Sequence, residues 1–193
     1  MTLQERRRAL MSIASGPSEW DSVWTYTDGK PTGGWTKVTT GGTDTITTAG
    51  LNLVGNRYEW QTGITDGVIE ARLKTNTDHA AANLTRAIFR IGDSSNSVTI
   101  IFQSYNSNHR IRLYNNRAVQ SGTNLGAFVL GEWYTIRLTI SGTTGTVSVN
   151  GEVVADNVDA SGMYSKGVPE FGSNGSYGGS VWEYVKIKDN SGV

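Results

Sequence analysis

The sequence contains no cysteine, only three prolines and no long uninterrupted apolar run. The absence of cysteine excludes a disulfide framework and a thiolate zinc site. Without an apolar stretch of about 20 residues, membrane insertion by a helix is not expected. The 17 basic and 17 acidic residues cancel. The chain therefore lacks the charge excess typical of nucleic-acid-binding proteins, and we expect no nucleic-acid partner.

Glycine is abundant instead, with 24 of 193 residues, and threonine, serine, asparagine and valine are common. This composition is typical of many short strands joined by glycine turns. A chain of this length often forms a single β-sandwich domain. The basic N-terminus lacks the apolar core of a secretory signal. We therefore predict cytoplasmic synthesis without a signal peptide, which also suits a virion component released by lysis.

The first 16 residues differ from the rest of the chain. Leu3, Leu10, Met11 and Ile13 share one face of a helix, and Gly16-Pro17 ends it. We predict an amphipathic N-terminal helix over residues 1–16 and one β domain over residues 17–193. Because an isolated helix of this length is marginal in water, it is expected to dock, for example in a homo-oligomer such as a trimer.

Residues 131–154 carry the clearest local pattern. Apolar residues alternate with polar ones over residues 134–140 and again at Val147 and Val149. Such alternation predicts half-buried strands. Asn150-Gly151 follows directly, and Asn-Gly between strands predicts a tight hairpin, since both turn positions require positive φ.

The same reasoning predicts about a dozen strands, and this number indicates an all-β, two-sheet antiparallel sandwich. The predicted strands are Ser22–Tyr26, Trp35–Thr39, Thr43–Thr47, Gly50–Val54, Gly67–Lys74, Thr85–Ile91, Ser97–Tyr105, His109–Asn115, Glu132–Ile140, Thr146–Asn150, Glu152–Ala155 and Ser180–Lys188. The glycine-rich run 172–179 is predicted to be a long loop.

Three segments resemble the concanavalin A-like lectin/glucanase superfamily, which includes laminin-G-like modules. They are the hairpin of residues 131–154, the strand GVIEARLK at 67–74 and the strand VWEYVKI at 181–187. The resemblance covers about Trp20 to Asp189 and implies a jelly-roll fold. The start MTLQERRRALM resembles the N-termini of structural and tail proteins encoded by prophages of Gram-positive bacteria.

Catalysis is not favoured by the sequence. Glucanases of this superfamily place two catalytic carboxylates on one strand in an E-x-D-x-x-E pattern, and no such triplet occurs here. Glycoside hydrolysis needs such a pair. His79 and His109 are the only histidines, and neither lies near a serine and aspartate in a catalytic arrangement. We lean towards a non-enzyme, with an atypical polysaccharide hydrolase or lyase as one alternative.

Binding is favoured by arginine-bearing strand faces. If those strands share one sheet, arginines, Glu70, Gln103 and Tyr114 form a band suited to carboxylates and hydroxyl pairs. Exposed tryptophan or tyrosine could stack on a sugar ring. The predicted ligand-binding residues are Glu70, Arg72, Arg90, Gln103, Arg112, Tyr114, Arg137, Trp35 and Tyr105. Cross-strand Arg–Glu pairing on a solvated sheet, about 0.2–1 kcal/mol per pair, gives the same pattern.

The leading interpretation is therefore a non-catalytic carbohydrate-binding module with a polysaccharide or glycan partner, in a phage tail or another surface-recognition assembly. The other alternative is a structural virion protein without glycan binding. No cofactor is predicted except a structural calcium ion. Its oxygen ligands would come from Asp156, Asn157 and Asp159, or from Asp93 and Asn96.

Overall fold

A computed structural model describes residues 20–75, 84–92, 97–105, 108–115, 122–161, 168–173 and 179–190. In this part of the chain the elements are thirteen strands and one short 3₁₀ turn, Tyr26–Asp28. The strands are β1 (Ser22–Thr25), β2 (Trp35–Thr47), β3 (Gly50–Trp60), β4 (Gly67–Thr75), β5 (Leu84–Gly92), β6 (Ser97–Tyr105), β7 (Asn108–Asn115), β8 (Thr123–Ala127), β9 (Tyr134–Ser141), β10 (Thr144–Val149), β11 (Glu152–Asp159), β12 (Pro169–Gly172) and β13 (Gly179–Asp189).

All of the described strand pairs are antiparallel, and the fold is an all-β jelly-roll sandwich, as predicted. The back sheet runs β11-β10-β9-β4-β13, with β1 also paired to β13. The front sheet runs β3-β12-β5-β6-β7-β8. The predicted helix over residues 1–16 lies outside the described residues. No described helix is long and apolar enough to cross a membrane.

The hairpin predicted at Asn150-Gly151 is confirmed. Val149 pairs with Glu152 across the turn, and Asn150 and Gly151 have φ of 51° and 85°. The Asn150 side chain also accepts a hydrogen bond from the Thr135 backbone N–H at 2.8 Å. This bond ties the turn to the neighbouring strand β9.

Strand β3 belongs to both sheets. Its first half, through Val54, pairs with β13, and its second half, from Arg57, pairs with β12. Between them Gly55 has φ of 66°, and the alternation of buried residues shifts there. Leu53 is buried before it and Tyr58 after it. The left-handed backbone at Gly55, opposite which the β2–β3 register shifts between Thr39 and Thr43, thus turns one strand from the back sheet into the front sheet.

The core between the sheets centres on Phe171 of β12. Its ring contacts the rings of Trp182, Trp35, Trp24 and Tyr58, with centroid separations of 4.9, 5.0, 5.5 and 5.8 Å respectively. Strand β12 was not predicted from the sequence, and neither was β8. Both strands are short, at four and five residues.

Asp44 on β2 gathers three donors at the edge of this core. Its carboxylate accepts the Tyr58 hydroxyl at 2.6 Å and the ammonium groups of Lys30 and Lys37 at 3.0 and 3.1 Å. Burial opposes ionisation, but these donors outweigh it and lower the pKa of Asp44 from 3.8 to about 2. Burial, reinforced by Asp44, raises the pKa of Tyr58. The carboxylate form is therefore favoured in the folded state.

A lowered pKa makes the contribution of Asp44 to stability dependent on pH. The contribution is complete above about pH 4 and is lost as the pH falls through about 2, because protonation then costs the folded state more than the unfolded state. We expect Asp44→Asn to reduce the free energy of unfolding by about 2 kcal/mol at pH 7 and progressively less towards pH 2. Urea unfolding at several pH values measures this. If the free energies of unfolding of Asp44→Asn and of the unmodified protein changed with pH in parallel, the prediction would be wrong.

Candidate functional site

The structure divides the predicted ligand residues between the two outer surfaces of the sandwich. Glu70 and Arg72 lie on β4 and Arg137 on β9, in the back sheet. Gln103 lies on β6, and Arg112 and Tyr114 on β7, in the front sheet. Both sheets bury their other face in the same core, so these polar faces point in opposite directions. The single arginine band expected from the sequence is therefore two separate polar faces.

The remaining predicted residues lie elsewhere or outside the described part. Trp35 points into the core, is 8% exposed and packs against Trp60 and Phe171. Its ring is thus not available as a sugar platform. Arg90 and Tyr105 occupy β5 and β6, but their side chains lie outside the described residues.

Glu70 is the centre of the polar face on the back sheet. The strand register places it between Lys186 of β13 and Arg137 of β9. The Tyr184 hydroxyl donates to its carboxylate at 3.1 Å, Lys186 approaches to 3.4 Å and Arg137 to 3.8 Å. Burial raises the pKa of Tyr184, and the Glu70 charge raises it further. Tyr184 is therefore a neutral hydrogen-bond donor at neutral pH.

Two half-buried tryptophans lie on the same face, each against two cationic side chains. The Trp133 ring centroid is 5.3 Å from the Arg72 guanidinium carbon and 4.9 Å from Lys74 Nζ. The Trp20 ring centroid is 5.6 Å from the Arg137 guanidinium carbon and 5.4 Å from Lys186 Nζ. These are cation–π distances. We name this surface the tryptophan face; it comprises Trp20, Glu70, Arg72, Lys74, Trp133, Arg137, Glu183, Tyr184 and Lys186.

The polar face on the front sheet has a different character, because several of its side chains point away from the core and are nevertheless buried. Ser97, Thr99, Tyr114 and Glu170 alternate with core residues along their strands, yet are only 1–7% exposed. The backbone at Gly122 covers the Tyr114 ring, and a Cβ there would lie 2.6 Å from it. These outward side chains are therefore covered. We name this surface the recessed face; it comprises Arg57, Ser97, Thr99, Gln103, Arg112, Tyr114 and Glu170.

The groups of the recessed face are linked by hydrogen bonds. Arg112 donates to the Gly122 carbonyl at 2.9 Å and to the Gln103 side chain at 3.3 Å. The Tyr114 hydroxyl lies 3.4 Å from the same Gln103 oxygen, and the hydroxyls of Ser97 and Thr99 lie 2.9 Å apart. The hydrogen bonds thus fix the positions of the Gln103 amide and the Arg112 guanidinium, which are partly exposed, whereas the hydroxyls of the face are buried.

A buried ion pair closes one side of the recessed face. Arg57 Nη1 lies 2.9 Å from Glu170 Oε1, and their side chains are 16% and 1% exposed. The Arg57 Nε is buried with no hydrogen-bond partner among the described residues. The register also sets Glu170 directly opposite Glu59 of β3. Two carboxyl-bearing residues therefore occupy neighbouring strands on this face.

Sequence reasoning missed five members of these faces: Trp20, Arg57, Trp133, Glu170 and Lys186. Strict alternation along VWEYVKI would place Trp182 on the same side of β13 as Tyr184. The bulge between these two residues shifts the pattern, so that Trp182 lies in the core and Tyr184 faces outward. Strand β12, which carries Glu170, gave no alternation signal over its four residues.

No group of three or more histidine or acidic residues that could bind a metal occurs in the described part of the chain. Asp156 accepts hydrogen bonds from Thr146 and from the Asn157 backbone, and Asp159 accepts one from Ser161. Asp93 and Asn96 lie outside the described residues. The structural calcium ion stays a prediction.

Neither a family model nor a curated protein sequence matches this chain. Its fold is similar to that of the conserved carbohydrate esterase from Shiga toxin-encoding bacteriophage phi24B (TM-score 0.63, 14% identity, 88% of this chain and 97% of that one). It is also similar to Crh5 transglycosylase in complex with NAG (0.63, 14%, 88% and 84%) and to a native glycosidic hydrolase (0.59, 15%, 88% and 96%). At these identities the likeness shows a shared fold alone.

Proposed function

We propose that this chain is a non-catalytic carbohydrate-binding module whose glycan lies on the recessed face. The observation that carries the proposal is the pair of partly exposed side chains Gln103 and Arg112, which hydrogen bonds to each other and to the Gly122 carbonyl hold on the outward side of the front sheet. Sugar hydroxyls both donate and accept hydrogen bonds, and the recessed face offers both kinds of partner through the amide of Gln103 and the guanidinium of Arg112. The three proteins of similar fold named above are an esterase, a hydrolase and a transglycosylase of carbohydrates by their names, which supports a glycan-related function.

We further propose that the module serves in a phage tail or another surface-recognition assembly. The resemblance of residues 1–11 to prophage tail proteins supports this placement, as does the similar fold of a bacteriophage carbohydrate esterase. Shallow glycan sites are weak individually, and repetition in a homo-oligomer increases their combined strength. The proposed assembly through residues 1–16 would supply that repetition.

A thermal-shift screen with neutral oligosaccharides tests the proposed site. A sugar with a Kd of about 1 mM, supplied at about 10 mM, should stabilise the protein by about 1.4 kcal/mol and raise Tm by roughly 3–6 °C. We expect Arg112→Gln to abolish that shift, because it removes the guanidinium from the recessed face. Arg72→Gln, the same change on the opposite surface, should leave it intact.

The opposite pattern, with the shift lost in Arg72→Gln and kept in Arg112→Gln, would move the neutral-sugar site to the tryptophan face. No shift with any neutral sugar would contradict glycan binding on the recessed face. If removal of residues 1–16 then also dissociated the assembly in size-exclusion chromatography, the structural virion protein would be the better interpretation.

The pairing of Glu59 with Glu170 favours one second candidate, an atypical polysaccharide hydrolase. Residues directly opposite on antiparallel strands have Cβ atoms about 4.5–5.5 Å apart, and hydrolysis uses two carboxyl groups on either side of a glycosidic bond. The ion pair between Arg57 and Glu170 favours a structural role for this carboxylate instead. New reducing ends in the same protein–sugar mixtures would identify the hydrolase.

A further inference from the structure

The tryptophan face extends over several rows of the back sheet. Lys186, Glu70 and Arg137 form one row across β13, β4 and β9, and Tyr184, Arg72 and Thr135 form the next. Trp133 lies one row beyond, four residues from Arg137 along the chain, whereas Trp20 covers the first row. At about 3.4 Å per residue, four residues span about 14 Å. The two rings can therefore contact an extended ligand at two points.

The charge of this face is unbalanced. Arg72, Lys74, Arg137 and Lys186 are cationic, whereas only Glu70 and Glu183 are anionic. Among the described residues, Lys74 contacts the Trp133 ring and forms no ion pair. The face therefore carries an excess of positive charge that an anionic ligand would complement.

Hydrogen-bond donors also remain for a ligand. Arg137 lies 3.8 Å from Glu70, beyond hydrogen-bond distance, and its side chain is 43% exposed. Arg72 donates one N–H to Glu183 at 2.7 Å and is 40% exposed. Since a guanidinium carries five N–H groups in a planar fork, both arginines can still bind a carboxylate.

We propose that the tryptophan face is a second glycan-binding site, specific for an extended anionic polysaccharide whose sugars carry carboxylates. The tryptophan rings stack on the apolar faces of sugar rings, and the arginines and Lys74 bind the carboxylates. The carboxylates of Glu70 and Glu183 favour this ligand over DNA, because they can accept hydrogen bonds from free sugar hydroxyls, which phosphodiester-linked deoxyribose lacks. This site is independent of the recessed face.

Calorimetric titration of the full chain with polygalacturonate tests the proposal, with methyl-esterified polygalacturonate as the uncharged partner of identical backbone. We expect binding of the acidic polymer only, weakening as sodium chloride rises from about 50 to about 200 mM. Trp133→Ala and Arg137→Gln should each weaken it about tenfold, the equivalent of a loss of about 1.4 kcal/mol. Arg112→Gln, on the recessed face, should bind as the unmodified protein does.

Lys74→Gln is a further variant of the tryptophan face with little structural cost. For every variant, a Tm within about 2 °C of that of the unmodified protein establishes that it is folded. Equal affinity of these back-sheet variants and the unmodified protein would overturn the proposal. So would equal binding of the methyl-esterified polymer or of a thymidine oligonucleotide of equal charge. Absence of polygalacturonate binding would also overturn it, while leaving the Arg112-dependent binding of neutral sugars untouched.

Discussion

Phe171→Ala is expected to lower the free energy of unfolding by about 3–5 kcal/mol, the largest effect of any substitution considered for this protein. Phe171 is fully buried and contacts four other aromatic rings. Its removal leaves a cavity between the sheets that rigid tryptophan rings cannot fill by small adjustments. For a domain of this size the loss corresponds to a Tm lowered by roughly 6–20 °C. Calorimetry or urea unfolding measures it.

Two control variants show whether the loss of stability is specific to the Phe171 ring. Phe171→Leu retains most of the apolar volume and should cost distinctly less. Val129→Ala, at a position that is 61% exposed, should change stability by less than about 0.5 kcal/mol. A Phe171→Ala protein within about 1 kcal/mol of the unmodified one would show that the aromatic cluster does not determine the stability of the core.

The second large effect is expected from the ion pair of the recessed face. Arg57→Met keeps the aliphatic volume of the side chain but removes the guanidinium 2.9 Å from Glu170, whose side chain is 1% exposed. Glu170 then remains buried without this counter-charge. We expect a loss of about 3 kcal/mol, the lower end of the range for breaking a buried pair, because Arg57 is itself partly exposed.

The double variant Arg57→Met/Glu170→Gln separates charge from packing. A neutral amide needs no counter-charge, so the double variant should be more stable than Arg57→Met alone. The comparison is a double-mutant cycle: urea unfolding gives the free energies of unfolding of the unmodified protein, the two single variants and the double variant. If the two substitutions destabilise additively, the pair does not interact energetically and the recessed face is not organised by its charge.

Prediction from the sequence succeeded where one strand face is apolar and the other polar over many residues. Strand β9, with Ile136, Leu138 and Ile140 buried, and the Asn150-Gly151 hairpin are clear in the sequence for this reason. Strand β12 is different: four residues are too few to show a period, and all four are buried. Its pairing with β3 and β5 depends on contacts far apart along the chain.

Periodicity gives the side of a strand on which a residue lies, but not the sheet to which the strand belongs. Glu70 and Arg112 both lie on polar strand faces, and only the strand order shows that they point in opposite directions. The same limit applies to Trp35, whose burial follows from its packing on Phe171. The burial of Tyr114 likewise depends on the backbone at Gly122, which lies against its ring.

The passage of β3 through Gly55 from the back sheet to the front sheet has a mechanical consequence. A ligand pulling on the tryptophan face loads the back sheet, and one pulling on the recessed face loads the front sheet. Because β3 pairs with β13 in one sheet and with β12 in the other, continuous covalent backbone joins the two. Force between the surfaces is therefore carried along a chain and its hydrogen-bonded neighbours, and not only across the side-chain contacts of the core.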